Sequence, residues 1–232
     1  MPDPSPATGS ASPRVPVPRD FYARPTLDVV EDLIGLVLVH EVRGRRTAGR
    51  ILEAEAYIGE ADPACHAAPG LTARNAPLYG PPGHAYVYLN YGLHYLVNAV
   101  TEPAGRPAAI LIRALEPVDG IDQMRRRRAR LGGSAAGLSP FGLCRGPGNL
   151  SVALGITLQQ NRGDLVTGAL RIESDGHRPS RLAWTPRIGI RVGTDRAWRC
   201  VVAGHPGVSG PRWSGAGVSG GGGTRTRRAR RS

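Results

Sequence analysis

Residues 51–66, ILEAEAYIGEADPACH, hold the strand from which both the fold and the site can be predicted. The stretch has strand character, and the side chains of a strand alternate between the two faces of its sheet. One face then carries Ile51, Glu53, Glu55 and Tyr57, and the other carries Leu52, Ala54 and Ala56. Two carboxylates beside a tyrosine, with His66 a short loop away, are unexpected in a chain whose net charge is +12.

The composition indicates one soluble domain. The chain has 232 residues, 41% of them hydrophobic, which is enough for a single sizeable core. No apolar run approaches the roughly 20 residues that span a bilayer, and the N-terminus lacks a signal-peptide pattern. Three widely spaced cysteines argue against a disulfide framework and against a zinc cluster. We expect a cytoplasmic protein with no membrane contact, no metal and no other cofactor.

The basic charge predicts a polyanionic partner, of which nucleic acid is the commonest. All thirty basic residues are arginine, so the chain has no lysine amine that could act as a nucleophile. Removing the five arginines of the last eight residues lowers the net charge only from +12 to +7. The positive charge therefore belongs to the body of the protein as well as to its C-terminus.

The pattern of elements predicts a single domain of the α+β class between two disordered tails. Residues 1–18 are rich in Pro, Ser and Ala, and residues 207–232 are rich in Gly, Ser and Arg, so the folded domain is 19–206. Helices are predicted at 25–35, 118–131 and 146–156, and strands at 36–42, 48–57, 85–100 (a hairpin), 108–117, 168–173, 187–192 and 198–202. Strands outnumber helices and most neighbours are antiparallel, which favours a curved, mainly antiparallel sheet flanked by helices.

The acidic strand has three possible roles on the residues alone. Paired carboxylates can supply a general acid and a general base. An E-x-E pair is more often a solvated strand face, although here its neighbours are small and apolar. A metal site formed by Glu55, Asp62 and His66 is the third possibility, but this spacing matches no common site.

A cluster of tyrosines marks a second candidate site. Four of the seven tyrosines lie in the predicted hairpin 85–100, whose turn is near Tyr91 and Gly92. A packed hairpin accounts for Tyr86 and Tyr95, but an aromatic side chain beside the turn glycine is expected to protrude. On a basic protein, such a protruding ring is suited to act as a wedge between stacked bases, and Tyr88 could stack on an extruded base.

The run Arg125–Arg128 covers the whole circumference of a helix. It is equally consistent with a solvated surface and with contacts to phosphates.

Together these segments resemble the alkyladenine (3-methyladenine) DNA glycosylase family, from about Arg24 to Ser209. The motifs that carry the resemblance are GRILEAEAY, DPACH, TARN at 72–75, GPPGHAYVYLNYGLHYLVNAV and AAILIRALEP, with looser matches at LCRGPGNL and RIGIRV. The resemblance implies a monofunctional, monomeric DNA glycosylase of the bacterial nucleoid. Such an enzyme flips alkylated or deaminated purines out of double-stranded DNA and leaves an abasic site for base excision repair.

The resemblance also implies the catalytic roles. Glu55 matches the carboxylate that deprotonates the water attacking C1′ of the flipped nucleotide. Arg113 matches an arginine beside that carboxylate and its water. Glu53 is then expected to be structural.

The resemblance further implies the residues that bind the base. Tyr57, His66 and Tyr88 match the walls that sandwich the damaged base, and Asn98 matches a residue that crowds the 2-amino group of guanine. Tyr91 matches the residue that fills the gap left in the duplex.

Arg145 and Gly207 depart from the family pattern, where a small residue and an aromatic residue are common. Both departures concern the C-terminal edge of the domain rather than the pocket.

Two other functions can be compared with this one. A non-catalytic nucleic-acid-binding protein would keep the tyrosine hairpin and the arginines but would not need Glu55. A carbohydrate hydrolase would need its two carboxylates on opposite sides of the scissile bond, whereas Glu53 and Glu55 point the same way.

Overall fold

One antiparallel sheet organises the part of the chain that the computed structural model describes, residues 14–130 and 137–210. Its strands are β1 (Val15–Pro16), β2 (Val37–Val42), β3 (Arg45–Ile58), β4 (Ala85–Asn90), β5 (His94–Val100), β6 (Ala108–Asp119), β7 (Leu170–Ser174), β8 (Leu182–Thr185) and β9 (Arg199–Val202). The helices are α1 (Arg19–Tyr22), α2 (Thr26–Leu33), α3 (Ile121–Ala129), α4 (Pro140–Leu143) and α5 (Pro147–Leu154). The predicted α+β class is confirmed.

Strand β3 is the centre of the sheet. The first part of β3 pairs with β2 and its second part with β9 along one edge, while β6 pairs along the other edge. The remaining strands extend the sheet in the order β1-β7-β2-β3-β6-β5-β4, and β8 pairs with β9. The acidic stretch of β3 therefore has paired neighbours on both sides, which is why its backbone needs no contact with solvent.

The register between β3 and β6 is interrupted beside the acidic residues. The aligned pairs here are Ile51–Leu115, Glu53–Ala114 and Ala54–Ile112. Leu52 on β3 and Arg113 on β6 have no partner in this register, so each strand carries one extra residue, as in a β-bulge. A bulge changes the direction of the side chains next to it, and here it does so in both strands.

This irregularity corrects the predicted face of Ile51. Ile51 packs in the main hydrophobic core with Ala54 and Ala56, not on the face of the carboxylates. Leu52 packs instead in a separate cluster with Val208. Strict alternation resumes only after the bulge, so it holds for residues 53–57.

One face of the sheet packs against helices, and the other face carries a cavity. Helices α2, α3, α4 and α5 contribute to the main core on one face. The strand residues packed against them include Val87, Val97, Ala99, Ile110 and Ile112. Their neighbours in sequence, which point the other way, include Tyr86, Tyr88, Asn98, Leu111 and Arg113. That second face carries the cavity described below.

The sequence signals at helix α5 explain its limits. Pro147 occupies the first turn, where the missing amide donor costs nothing. Gly155 follows the helix with φ +73°, and its N–H bonds the carbonyls of Ser151 and Val152. This left-handed residue ends the helix as glycine commonly does.

Most predicted elements are present, and the exceptions are local. The predicted strand 187–192 is wrong, because these residues form an irregular loop. The predicted helix at 118–131 begins later, since β6 extends to Asp119 and Gly120 precedes α3. Strands β1 and β8 and helices α1 and α4 were not predicted, and all four have at most four residues.

The arginine run Arg125–Arg128 in α3 forms hydrogen bonds mainly with other segments of the chain. Arg125, Arg127 and Arg128 donate hydrogen bonds to the carbonyls of Leu138, Ala153 and Leu143, respectively. Arg126 is exposed and bonds Gln123. Three of the four side chains thus satisfy carbonyl groups of neighbouring segments, so neither predicted role describes the whole run.

Short segments of both predicted tails contact the domain. Val15 and Pro16 pair with β7, and Val208 and Ser209 are buried. The rest of both tails lies outside the described residues, and the predicted domain limits stay a prediction.

Cys65, Cys144 and Cys200 are buried free thiols. Among the described helices, none combines the length and the apolar character that crossing a membrane requires.

Gly120 and Gly44 offer a matched test of the joint between β6 and α3. Both have φ +71°, but a Cβ on Gly120 would lie 2.5 Å from the Arg46 carbonyl oxygen, whereas Gly44 has no atom within 4 Å. We expect Gly44→Ala to cost about 1–2 kcal/mol of unfolding free energy, and Gly120→Ala about 1–3 kcal/mol more. Urea denaturation of both variants measures the difference, and equal losses would contradict a steric role for this joint.

Candidate active site

A cavity of about 450 Å³ opens on the second face of the sheet, and Pro147 at the start of α5 also lines it. Six of the seven predicted site residues line it: Tyr57, His66, Tyr88, Tyr91, Asn98 and Arg113. They come from β3, the loop after it, the β4–β5 hairpin and β6, so the sheet brings together residues that are far apart in sequence. The seventh, Glu55, lies directly behind this wall.

Glu55 has no exposed surface, and both of its carboxylate oxygens accept hydrogen bonds. Its Oε1 accepts the Ile188 N–H at 2.7 Å, and its Oε2 accepts the Tyr57 hydroxyl at 2.9 Å and Arg113 Nη1 at 3.1 Å. All three donors line the cavity. Burial raises the pKa of Glu55, and the positive charge of Arg113 and these hydrogen bonds oppose that rise.

Glu53 is also without exposed surface, so neither carboxylate is on a solvated strand face. Its Oε1 accepts Arg113 Nε at 2.9 Å and Arg199 Nε at 2.7 Å. Ser209 donates its N–H to Oε2 at 2.6 Å and its hydroxyl to Oε1 at 2.9 Å. Two carboxylates and two guanidiniums therefore form one cluster in which the charges balance.

Aromatic rings form the walls of the cavity. The His66 ring lies 4.5 Å from the Tyr88 ring between centroids, and its Nδ1 is 2.8 Å from the Tyr86 hydroxyl oxygen. Desolvation and then the charge of Arg74 lower the pKa of His66. Desolvation also raises the pKa of Tyr57 and Tyr88. At neutral pH these walls are therefore uncharged and rich in π electrons.

Asn98 is fixed in the cavity by the pairing of β4 and β5. It stands opposite Tyr86 in the register, it is only 4% exposed, and its Nδ2 donates to the Tyr86 carbonyl at 2.9 Å. This hydrogen bond to the backbone of the neighbouring strand fixes the direction of the Asn98 side chain.

The tip of the β4–β5 hairpin carries an exposed aromatic side chain, as predicted. Tyr91 is 88% exposed, and it has φ +48° beside Gly92 with φ +70°. The Leu93 N–H bonds the Asn90 carbonyl at 3.0 Å and closes the turn. Two central residues with positive φ are typical of the tight turns that match the twist of a hairpin. A tyrosine in this conformation is uncommon, and it places the ring at the edge of the cavity.

The predicted strand 187–192 is instead a loop, called the cavity loop below, and its residues 188–192 form one side of the cavity. Ile188 supplies the N–H that binds Glu55. Irregular backbone leaves amide groups free of a sheet ladder, and here one of them is directed at a carboxylate.

A buried ion pair anchors this loop to the loop after β3. Arg187 and Asp62 both have no exposed side-chain surface, and two hydrogen bonds of 2.5 and 2.8 Å join them. The guanidinium carbon of Arg187 also lies 4.7 Å from the centre of the Tyr57 ring. Although desolvation raises it, the pKa of Asp62 is lowered overall by its bonds and charge interaction with Arg187.

The metal alternative has no structural counterpart in the described residues. Asp62 binds Arg187 and Glu55 binds its three donors, while His66 packs on tyrosines. No three His, Cys, Asp or Glu side chains in residues 14–130 and 137–210 are arranged to hold a metal ion.

Sequence reasoning missed several residues that build the site: Asp62 as an ion-pair partner, Arg187, Ile188, Arg199 and Ser209. Each works through a contact with a residue more than 100 positions away, such as Asp62 with Arg187 and Glu53 with Ser209. No local spacing could indicate such pairs. The sequence held one weak signal for such pairs, which is its large number of arginines beside few acidic residues.

The arrangement is suited to binding a flat molecule between aromatic rings with a buried carboxylate at one end. A carboxylate whose pKa is raised by burial is a stronger base than an exposed one, and it can take a proton from water. Arg113 beside it holds the carboxylate by a hydrogen bond and favours its charged form.

Comparison with known proteins identifies the group to which this chain is similar. The family model described as Methylpurine-DNA glycosylase (MPG) matches residues 20–206. A Chlorobaculum tepidum protein is 45% identical over 192 residues, which cover 82% of this chain and 88% of the relative. Relatives from Methanocella arvoryzae (46% over 197 residues, 83% and 95%) and Burkholderia lata (44% over 209 residues, 88% and 97%) are equally similar. All three carry the name "Putative 3-methyladenine DNA glycosylase".

The anchor of the cavity loop can be tested by its stability. Replacing Arg187 with Met leaves Asp62 buried without its main partner, so we expect a loss of about 3–5 kcal/mol in unfolding free energy. Arg14→Met removes the partly exposed pair with Asp119 and should cost less than about 1 kcal/mol. Chemical denaturation of both variants provides the comparison. Similar small losses would show that the buried pair does not hold the loop.

Proposed function

This chain belongs to the methylpurine-DNA glycosylase family, and we propose that it removes alkylated purines of the 3-methyladenine type from double-stranded DNA. As a DNA glycosylase it is a hydrolase of N-glycosidic bonds that acts in DNA repair. The alternative of a non-catalytic nucleic-acid-binding protein is therefore set aside. The observation that carries the proposal is the buried Glu55 carboxylate at the end of an aromatic cavity.

The position of the cavity on the sheet supports base flipping. Its walls stand on the strands of the sheet, and a base that is stacked in a duplex cannot reach them. The damaged nucleotide therefore has to leave the helix and enter the cavity of about 450 Å³. The net positive charge of the protein favours the approach of DNA through contacts with phosphates.

The uncharged aromatic walls support a preference for cationic bases. A purine alkylated at a ring nitrogen carries a positive charge, which is attracted to the π faces of Tyr57, His66 and Tyr88. The lowered pKa of His66 keeps that ring neutral, so it does not repel the base. A cationic purine is also a good leaving group that needs little help from a general acid. We assign to Asn98 the role of crowding the 2-amino group of guanine, which its hydrogen bond to the β4 backbone supports by fixing the side chain.

Glu55 acts on the water that attacks the sugar. The bond between C1′ and the base nitrogen breaks with its electron pair on the base, and the sugar passes through an oxocarbenium-like state. Water then forms the new C–O bond at C1′ as Glu55 accepts its proton. Oε1 of Glu55 has one hydrogen-bond donor in the described residues and so keeps a second acceptor position for this water, which reaches the buried carboxylate only when a cavity-lining side chain in front of it moves. Arg113 orients the same carboxylate.

The nucleophile of this reaction is water rather than an amine. Glycosylases that also cut the DNA strand form a Schiff base with an amine, and this chain has no lysine. We therefore assign a monofunctional reaction whose product is an abasic site in an intact strand. We further propose that the enzyme works as a monomer, because the seven predicted site residues meet at one cavity within a single copy of the chain.

Replacing Glu55 tests the catalytic assignment. Glu55→Gln keeps the shape of the side chain and removes the base, so we expect base release from alkylated duplex DNA to fall by at least about 100-fold. Binding of lesion-containing DNA should remain close to that of the unaltered protein. Glu53→Gln is the matched comparison and should lose far less activity. An active Glu55→Gln variant beside an inactive Glu53→Gln variant would reverse the assignment.

Tyr91→Ala tests the proposed wedge. Its ring would compensate for unstacking a base pair, a cost of about a few kcal/mol that a single strand avoids. We expect weaker binding and slower base release on duplex DNA, and little change on the same lesion in single-stranded DNA. Release assays on both substrates measure this ratio. Equal losses on the two substrates would contradict an intercalating role.

A further inference from the structure

We propose that Glu53 is a positioning residue for base release, and that the C-terminal segment 205–210 holds it in place. This inference rests on the proposed function, because it assigns Glu53 a role in the chemistry of Glu55. The starting point is the sharing of one guanidinium by two buried carboxylates. Arg113 gives its Nε to Glu53 and its Nη1 to Glu55.

Glu53 limits how tightly Arg113 can bind Glu55. A guanidinium can bind one carboxylate with two parallel hydrogen bonds, which is its strongest arrangement. Here the bond from Nε to Glu53 at 2.9 Å holds the guanidinium in an orientation in which Glu55 receives one bond, from Nη1 at 3.1 Å. The weaker contact, together with the negative charge of Glu53, leaves the Glu55 carboxylate more basic than a two-bond pair would allow.

Other groups around Glu55 do not replace this effect. The charged and titratable groups that face it are Arg113 of β6, Glu53 and Tyr57 of β3, Tyr88 of β4, Arg187 of the cavity loop and Arg199 of β9. Arg187 is paired with Asp62, and Arg199 is paired with Glu53. Glu53 is therefore the acidic group that decides how the charge of Arg113 is divided.

The segment 205–210 is built to keep Glu53 in position. Ser209 gives Glu53 two hydrogen bonds, while the Ser209 carbonyl accepts Arg199 Nη2 at 2.8 Å. Arg145 Nε donates to the Val208 carbonyl at 3.0 Å. Val208 is 4% exposed and packs on Leu52, the extra residue of β3. Arg145, one of the two departures from the family pattern, thus holds the segment 205–210 in place by a hydrogen bond.

The space around Gly207 explains the second departure. A Cβ at this position would lie 2.6 Å from Leu52 Cδ1. A larger residue would have to displace Leu52, and glycine lets the segment approach β3 closely. Arg145 and Gly207, the two departures from the family pattern, therefore both determine the position of the segment 205–210.

The test is the pH dependence of base release under single-turnover conditions, measured on duplex DNA with one alkylated purine. The acid limb of this profile reports the pKa of the essential base in the complex. In Glu53→Gln, Arg113 is freed from one anion, so we expect the midpoint of that limb to move to lower pH by about one unit. We also expect the maximal rate to fall about tenfold. Glu53→Asp, which retains the charge, should keep the midpoint close to that of the unaltered protein.

Ser209→Ala is the second variant, because it removes one of the four hydrogen bonds to Glu53 and leaves its charge. Without this bond Glu53 is held less firmly against Arg113 Nε, which frees Arg113 for Glu55, so the midpoint should shift in the same direction by a smaller amount. Ser174→Ala, which loses a serine contact with Gly176 far from the site, should keep the original profile. Circular dichroism shows whether each variant is folded, and if Glu53→Gln is not, Ser209→Ala decides.

Folded Glu53→Gln or Ser209→Ala protein with an unchanged midpoint would overturn the inference, even if its maximal rate fell. A failure of the proposed function gives a different result, since the unaltered protein would then release no base at any pH.

Discussion

The structure depends on the burial of two carboxylates in the middle of a sheet. An ion removed from water must be compensated by charge and by hydrogen bonds, or it takes up a proton. Within the described residues, Glu53 and Glu55 together receive seven hydrogen bonds, from two arginines, one tyrosine, one serine hydroxyl and two backbone amides. These donors come from β3, β6, β9, the cavity loop and the C-terminal segment. Satisfying the two acids therefore brings distant parts of the chain to one place.

The sheet accommodates this cluster by breaking its own regularity. Regular pairing would place Arg113 opposite a residue of β3 and Leu52 opposite a residue of β6. Because of the register shift, neither residue has a cross-strand partner, and Arg113 donates hydrogen bonds to both Glu53 and Glu55. The helix-facing side of the sheet remains an ordinary hydrophobic core. Function and stability thus occupy opposite faces of the same strands.

The sequence predicts the part of this structure that depends on local pattern. Alternation in 53–57 and 85–90, and the glycine beside Tyr91, are enough to predict the strands, the cavity face and the exposed ring. The face of Ile51 and the state of 187–192 could not be predicted in this way. A register shift depends on the neighbouring strand, and the segment RIGIRV has the composition of a strand but binds Asp62 and Glu55 through its loop conformation. Its β-propensity is overridden by these tertiary contacts.

The burial of the three cysteines has a consequence for the working conditions of such an enzyme. Burial raises the pKa of Cys65 to about 11, and the pKa values of Cys144 and Cys200 to about 12. The thiolate is the reactive form of cysteine, so these side chains stay protonated and away from solvent at neutral pH. The chain also has no lysine side chains. Small alkylating agents would therefore find neither a thiolate at these three cysteines nor a lysine amine with which to react.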